Sequence, residues 1–302
     1  NLYNKIMDVY AKSFQIDQQR TLPREVIRAG KNVIEVILRF KTKFGNCEGV
    51  VRLFEDQERK GYFKAWSLLT ALSDLSSSDK KNNEQYQNIL EGPNWLDKRN
   101  EDRLYKNREP EVIVVGSGQA GLSIAARLKQ QNIDTLIVDK NERIGDNWRN
   151  RYHSLKLHNQ THVNHLPYMP FPSTWPTYIP KDKLAGWFEY YVESMELNAW
   201  TNTKFIGAEY DENKKHWKVK LKLSDGTIKI MKPKHIVMAV GVSSVPNRTK
   251  IPGMDHYKGK VIHSADYENG KHYNGKNVLV YGTGTSAHDV AQDLYVHGAN
   301  VK

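Results

Sequence analysis

Residues 112–121 read VIVVGSGQAG, a short apolar run that ends in a GxGxxG turn. The apolar run predicts a buried strand, and Leu122, Ala125 and Leu128, which follow the turn at helical spacing, predict a helix. A strand, a glycine turn and a helix in this order are typical of the unit that binds the pyrophosphate of a dinucleotide. The stretch therefore predicts an α/β fold with a Rossmann-like unit.

Each residue of this first turn has a predicted role in binding a cofactor. Gly116 makes the tight turn, Gly118 lets the backbone approach the pyrophosphate, and Gly121 allows the helix to pack closely on the strand. Gln119 and Ala120 begin the helix, where free N–H groups would face the phosphates.

The ribose of the same cofactor has its own candidate partner. A second strand is predicted over residues 135–138, and Asp139 follows it, where the fingerprint carries an acid for the ribose hydroxyls. Trp148, a little further along, is expected to pack against the cofactor or the core.

Residues 276–287, KNVLVYGTGTSA, repeat the strand and glycine turn. The predicted cofactor contacts are Gly282, Gly284, Ser286 and Ala287, because alanine in the third glycine position still permits close packing. The next strand is expected to begin as the printed sequence ends, so the residue that distinguishes NADPH from NADH is expected to follow it. Two such units favour a bound flavin dinucleotide that accepts hydride from a nicotinamide dinucleotide.

The chain divides into four predicted parts: residues 1–75, 76–108, 109–248 and 249–302. The first is a small α+β domain, because a helical pattern precedes an antiparallel meander of three strand-like stretches, at 33–40, 49–54 and 62–72. Phe63 and Trp66 are expected in its core. The second part is a polar linker, anchored by Trp95 and Leu96.

The last two parts are predicted to be an FAD-binding domain and an NADPH-binding domain. Within the FAD-binding domain, apolar residues alternate with lysines over 216–223, and a turn separates them from Ile228 and Ile230. This pattern predicts an antiparallel hairpin with one buried face.

Composition excludes several classes of function. The 302 residues carry a net charge of +11, but acids lie among the lysines and arginines and no nucleic-acid-binding motif accompanies them. A solvated surface with some attraction for phosphate-bearing cofactors is the favoured interpretation. No apolar run is long enough to cross a bilayer. Cys47 is the only cysteine, which excludes a redox pair and fits a reducing compartment such as the cytoplasm.

Further motifs resemble the flavin-containing monooxygenases. Residues 257–267, YKGKVIHSADY, are similar to the identifying sequence FxGxxxHxxxY of that family, with Tyr257 in place of the first aromatic residue. Two segments resemble the stretch after the ribose acid and the strand end before the NADPH domain: GDNWRNRY at 145–152 and MAVG at 238–241. Two others are closer to the YUCCA and fungal branch: YHSLKLH at 152–158 and LPYMPFP at 166–172.

The resemblance implies an enzyme in which NADPH reduces FAD and a flavin hydroperoxide inserts one oxygen of dioxygen into a small organic substrate. That substrate would be a nitrogen or sulfur nucleophile or, in the YUCCA branch, an α-keto acid such as indole-3-pyruvate. His158 stands where the animal enzymes carry an asparagine near the flavin, and it is the one candidate catalytic residue. Residues 1–105 resemble the end of a SnoaL-like cone domain, so the chain is expected to be truncated at both ends.

Several alternatives stay open or are rejected on particular residues. A Baeyer–Villiger monooxygenase would usually carry tryptophan where Tyr267 stands, and a non-catalytic dinucleotide-binding fragment stays open. A disulfide reductase would need a cysteine pair beside the flavin and is rejected. His263 has a structural role or contacts a nucleotide. The histidines at 153, 158, 162 and 165 match no common zinc spacing, so no metal site is predicted. The oligomeric state is left open.

Overall fold

The computed structural model describes residues 8–75, 94–242 and 245–302. The chain divides into two compact units, Asn1–Gln87 and Asn88–Lys302, which we call the first and the second unit. The helix predicted near residues 3–10 and the loop predicted at 76–83 lie largely or wholly outside the described residues.

The first unit is built on a five-stranded antiparallel sheet. Its strands are β1 (Lys12–Ile16), β2 (Arg24–Arg28), β3 (Lys31–Thr42), β4 (Gly45–Glu55) and β5 (Phe63–Leu75). β1 and β2 pair with different parts of β3, β4 pairs with the other edge of β3, and β5 pairs with β4. The three predicted stretches are confirmed as β3, β4 and β5. β1 and β2 were not foreseen, because their short sequences carry few apolar residues.

Phe63 and Trp66 are not core residues, and this prediction is wrong. Both lie on β5, where Phe63 is 48% and Trp66 is 39% exposed. Among the described residues β5 pairs with β4 only, so a neighbouring strand lies on one side of it alone. The buried residues of this sheet lie instead on β3 and β4: Val33, Val36, Phe40 and Cys47.

The second unit contains a four-stranded parallel sheet in the order β12-β6-β7-β8. These strands are β6 (Val112–Val115), β7 (Thr135–Val138), β8 (Asn198–Trp200) and β12 (His235–Met238). β6 and β7 have the predicted bounds and are buried along their whole length. The helices α2 (Gln119–Gln130) and α4 (Lys181–Ser194) pack on this sheet through one apolar cluster. The predicted α/β fold is confirmed.

Residues 94–108, predicted as the end of a linker, instead contain a helix, α1 (Trp95–Leu104), that packs on β8. Arg99 donates hydrogen bonds to Oδ1 of Asn198 at 2.9 Å and to the carbonyl of Leu197 at 3.2 Å. Tyr105 follows the helix and is only 2% exposed. The sequence did not show this because the outer face of α1 is strongly polar.

A three-stranded antiparallel sheet covers the other side of the parallel sheet. Its order is β11-β10-β9, with strands β9 (Lys204–Asp211), β10 (His216–Lys222) and β11 (Ile228–Met231). The predicted hairpin is confirmed, with Val219 opposite Met231. Val219 and Leu221 are fully buried against Ile113 and Val115 of β6.

The second glycine motif lies between two short parallel strands. They are β13 (Asn277–Val278) and β14 (Asn300–Val301), and α5 (Thr285–Val296) connects them. The expected strand at the end of the sequence is therefore present. β13 ends at Val278 and is shorter than its apolar sequence predicts. Leu279 and Tyr281, which follow it, are 76% and 80% exposed. Within the described ranges, no helix has the length and apolar character needed to cross a membrane.

Candidate functional site: two glycine turns

The first glycine turn is held together by direct backbone packing. Gly116 has φ +108°, and a Cβ built on it would collide with the carbonyl of Ala239, just after β12. A Cβ on Gly121 would collide with the carbonyl of Gly116. Strand end, turn and helix therefore approach so closely that only glycine fits at these two positions.

Gly118, between them, has a different environment. It precedes α2 with φ −78°, which any residue adopts, and a Cβ there would lie 3.3 Å from the amide nitrogen of the Asn147 side chain. Gln119 and Ala120 open the helix, whose first N–H groups have no partner within a helix. The turn thus offers backbone donors to an anion, and glycine keeps the approach open.

Asp139 lies at the end of β7 and faces the turn. The carboxylate is buried, and its Oδ2 accepts hydrogen bonds from the backbone N–H of Ser117 at 2.7 Å and from the Ser117 hydroxyl at 2.6 Å. Oδ1 accepts a hydrogen bond from the N–H of Asn141 at 2.9 Å. A carboxylate has about four lone-pair positions, so one acceptor position remains for a further donor such as a ribose hydroxyl.

Trp148 connects the first turn with the second glycine motif. It lies on the short helix α3 (Asp146–Arg149), and its Nε1 donates a hydrogen bond to Oε1 of Gln119 at 3.2 Å. Its ring packs against the apolar cluster around β6 and also against the cluster that contains Val290 and Leu294 of α5. Trp148 therefore links two apolar clusters, one at each glycine motif.

The second glycine turn is more open than the first. Gly282 has φ +147°, and a Cβ on it would lie 3.5 Å from Cβ of Ala287, an ordinary contact. A Cβ on Gly284, which precedes α5 with φ −78°, would meet no atom of the described residues within 4 Å. Ser286 lies in the first turn of α5 and is partly buried. Ala287 fits the third glycine position because this turn is looser.

His158 lies beside α5. Its Nε2 is 2.9 Å from Oδ2 of Asp289, and its side chain is about half exposed. The same oxygen accepts a hydrogen bond from the hydroxyl of Tyr152 at 2.6 Å. Sequence reasoning missed Asp289, whose only signal was a carboxylate next to the apolar positions of a predicted helix.

The segment that resembles the monooxygenase identifying sequence also binds α5. The ring of Tyr267 is buried, and its hydroxyl donates a hydrogen bond to Oδ2 of Asp293 at 2.6 Å. The backbone N–H of Gly270 donates to the same oxygen at 2.7 Å. His263 accepts a hydrogen bond from the N–H of Ala265, which caps a short 3-10 turn. Tyr267 therefore braces the helix of the second motif, and the contacts of His263 are local.

The remaining clustered histidines lie in different local surroundings. The backbone N–H of His153 donates to the carbonyl of Glu268, and Nδ1 of His165 accepts a hydrogen bond from the backbone N–H of Phe171. His162 lies in a 3-10 turn, Thr161–Val163. Among the described residues, no group of three or more histidine, cysteine, aspartate or glutamate side chains is arranged to hold a metal ion.

Two glycine turns, each at the start of a helix, define a protein with two dinucleotide-binding units in one chain. The chain belongs to the pyridine nucleotide-disulphide oxidoreductase family, whose family model matches residues 113–302. The resemblance to flavin-containing monooxygenases is confirmed by curated relatives of similar sequence. The resemblance of residues 1–105 to a SnoaL-like domain stays a prediction.

The curated relatives include many indole-3-pyruvate monooxygenases. A probable indole-3-pyruvate monooxygenase, YUCCA3 of Arabidopsis thaliana, is 35% identical over 193 residues, covering 62% of this chain and 44% of the relative. The indole-3-pyruvate monooxygenase YUCCA1 of Oryza sativa subsp. japonica is 31% identical over 191 residues, covering 63% of this chain and 46% of the relative. The chain thus spans about half the length of the curated relatives it matches.

Solved structures share the fold. A mutant of the flavin monooxygenase of Stenotrophomonas maltophilia superposes with a TM-score of 0.58 at 21% identity, covering 64% of this chain and 56% of that chain. The bacillithiol disulfide reductase of Bacillus cereus gives a TM-score of 0.56 at 21% identity, covering 64% and 57%. Oxygenases and disulfide reductases therefore share one fold, so the two classes are distinguished by the residues of the site.

Proposed function

We propose that this chain carries the FAD- and NADPH-binding sites of a flavin-dependent monooxygenase. The observation that carries the proposal is the pair of glycine turns, each at the start of a helix, with Trp148 packed against the apolar clusters of both. A protein with one dinucleotide site fits many dehydrogenases, whereas two sites in one chain fit a bound flavin that receives hydride from a nicotinamide cofactor. The relatives, which are indole-3-pyruvate monooxygenases by name, support oxygen as the final acceptor.

The residues of the first turn fit a flavin dinucleotide. The N–H groups at the start of α2, at Gln119 and Ala120, would bind the pyrophosphate, and Gly118 would leave room for it. Asp139 would accept a hydrogen bond from the ribose with its remaining lone pair. Trp148, whose Nε1 donates a hydrogen bond to Gln119, would pack beside the cofactor. Bound FAD would supply the redox chemistry, and the protein would supply orientation and exclusion of water.

The residues of the second turn fit NADPH. The open approach at Gly284 and the N-terminus of α5, with Ser286 in its first turn, would bind the second pyrophosphate. Gly282 and Ala287 would shape the turn. His158 stays the candidate catalytic side chain, since it is half exposed and its Nε2 lies 2.9 Å from Oδ2 of Asp289 on this helix.

The proposed substrates are dioxygen and a small organic molecule, either a nitrogen or sulfur nucleophile or an α-keto acid such as indole-3-pyruvate. The α-keto acid is favoured by the names of the relatives. A disulfide reductase is disfavoured because Cys47, the single cysteine, is buried in the sheet of the first unit. A cytoplasmic location is proposed from this sparse use of cysteine.

The test is a direct assay of the purified chain. After incubation with FAD and removal of free cofactor, we expect a flavin spectrum, NADPH oxidation and uptake of dioxygen, each enhanced by indole-3-pyruvate or by a thioether or tertiary amine. A matched preparation of Gly118→Val, which fills the approach to the first turn, should lose all three signals. A chain that retains FAD but transfers electrons to a disulfide rather than to dioxygen would contradict the proposal.

A further inference from the structure

Helix α5 carries two carboxylates one helical turn apart, Asp289 and Asp293. Residues four apart lie on the same face of a helix. Both carboxylates accept hydrogen bonds from tyrosines that come from other parts of the second unit, Tyr152 and Tyr267. α5 is therefore held at two points, and the point nearer to the second glycine turn is Asp289.

The contacts of Asp289 converge on one atom. Oδ2 accepts the hydroxyl of Tyr152 at 2.6 Å and lies 2.9 Å from Nε2 of His158. Tyr152 is 3% exposed. Its burial is the main reason why the pKa of its hydroxyl is raised, and the hydrogen bond to Asp289 raises this pKa further. The hydroxyl therefore stays protonated and donates a hydrogen bond to a carboxylate, which is among the stronger hydrogen bonds in proteins.

Tyr152 and His158 belong to the segment that follows α3. At its start, Trp148 of α3 donates to Gln119 in the first glycine turn. At its end, the N–H of Leu157 donates to the carbonyl of Ile179, just before α4, at 2.8 Å. The segment is thus tied to the first glycine turn through Trp148 and to the residue before α4 through Leu157, and Asp289 binds Tyr152 and His158 to the helix of the second turn.

We propose that Asp289 is a positioning residue that fixes the second glycine turn relative to the first and so sets the distance over which hydride passes from NADPH to FAD. This inference rests on the proposed function, because hydride transfer needs both nucleotides. A displacement of about 1 Å can lower the rate of an oriented reaction roughly 100-fold without loss of binding. A structural role alone would lower thermal stability and leave the rate of the loaded protein unchanged.

Four variants separate these roles. Asp289→Ala removes the acceptor, Asp289→Asn keeps an oxygen that can accept both bonds, and Tyr152→Phe removes one donor. Gln292→Ala is the matched control, since Gln292 is an exposed residue on the same helix. In each we would measure bound FAD, melting temperature, the Kd for NADPH and the rate constant of anaerobic flavin reduction.

We expect Asp289→Ala to lower the rate constant of flavin reduction at least about tenfold, while the Kd for NADPH changes less than about threefold. Asp289→Asn should restore the rate to within about threefold of the unsubstituted chain, and Gln292→Ala should match that chain. The double variant of Asp289→Ala and Tyr152→Phe should lose less than the sum of the two single effects, because both substitutions remove the bond between Tyr152 and Asp289. A normal rate constant in FAD-loaded Asp289→Ala, or strictly additive effects, would overturn the inference.

Hydrogen–deuterium exchange of the chain without cofactors separates this inference from the proposed function. Asp289→Ala should accelerate exchange of the amides at 152–158 at least about fivefold, and Gln292→Ala should not. If exchange at 152–158 responds to Asp289→Ala but the unsubstituted chain never passes hydride to FAD, the proposed function fails and the structural contact of Asp289 is still supported. If hydride transfer is normal and exchange at 152–158 does not respond to Asp289→Ala, the positioning role fails alone.

Discussion

The two glycine turns share a sequence pattern but differ in what requires their glycines. In the first turn, Gly116 and Gly121 are required by the chain itself, because added Cβ atoms would collide with the carbonyls of Ala239 and Gly116. In the second turn, a Cβ on Gly284 would meet no protein atom within 4 Å, and its φ of −78° suits any residue.

This difference separates two kinds of evidence in one motif. A glycine that the backbone requires shows how the strand and helix pack, and it would be needed even if no ligand bound. A glycine in open space at the start of a helix has no such reason within the described residues, so it points to a molecule that approaches the turn. Gly284 therefore carries more functional information than Gly116 and Gly121.

The largest effect is expected for Gly121→Ala in the first turn. The new methyl group cannot fit against the carbonyl of Gly116, so α2 has to move away from β6, and the free energy of unfolding of the second unit should fall by about 3 kcal/mol. Binding of FAD should be lost with it. Thermal melts and the bound flavin spectrum measure both. Unchanged stability would show that the first turn is as open as the second.

The next effect concerns the acid that closes the first turn. Asp139→Ala leaves the buried N–H of Ser117 without its acceptor, which costs about 2 kcal/mol of stability. The affinity for FAD should fall at least about tenfold through loss of the ribose contact. Lys140→Ala, at the exposed neighbouring position, is the control for urea unfolding and FAD titration. Equal behaviour of the two variants would remove Asp139 from the site.

Gly284→Ala should change binding without changing stability. Because no protein atom lies within 4 Å of the added Cβ, the free energy of unfolding should stay within about 0.5 kcal/mol. The Kd for NADPH should rise about tenfold or more, since the methyl group would occupy the approach to the pyrophosphate. Gly186→Ala is the matched control, because a Cβ there also meets no atom within 4 Å, far along the chain on α4. Calorimetric titration distinguishes the two.

The smallest effect is expected for Ala287→Gly. The second turn already accommodates a methyl group at this position, so removing it should cost less than about 1 kcal/mol, chiefly through lower helix propensity. The Kd for NADPH should stay within about twofold. A loss of binding as large as that of Gly284→Ala would mean that the second turn is tighter than its geometry indicates.

The sequence predicted those parts of the fold that depend on local pattern. The bounds of β6 and β7 follow from short apolar runs, and the hairpin of β10 and β11 follows from strict alternation around a turn. The prediction failed where tertiary contacts decide. α1 contacts β8 through Arg99, a polar residue that is buried. Trp66 is exposed on β5, which is an edge strand among the described residues.

The candidate site was predictable to a similar degree. The fingerprint located Asp139 and both turns, because a phosphate-binding turn needs residues of fixed type at fixed spacing. Asp289 and Asp293 were missed, since their partners Tyr152 and Tyr267 lie far away in sequence and only the folded chain brings them together.

The most direct test of two separate nucleotide sites is a binding stoichiometry on the purified chain. FAD is titrated first, and NADP+ is then titrated into the flavin-loaded protein by calorimetry. Two independent sites predict one FAD and one NADP+ bound per chain, with Gly284→Ala weakening only the second. Competition of the two nucleotides for a single site, or binding of NADP+ that Gly284→Ala leaves unchanged, would contradict it.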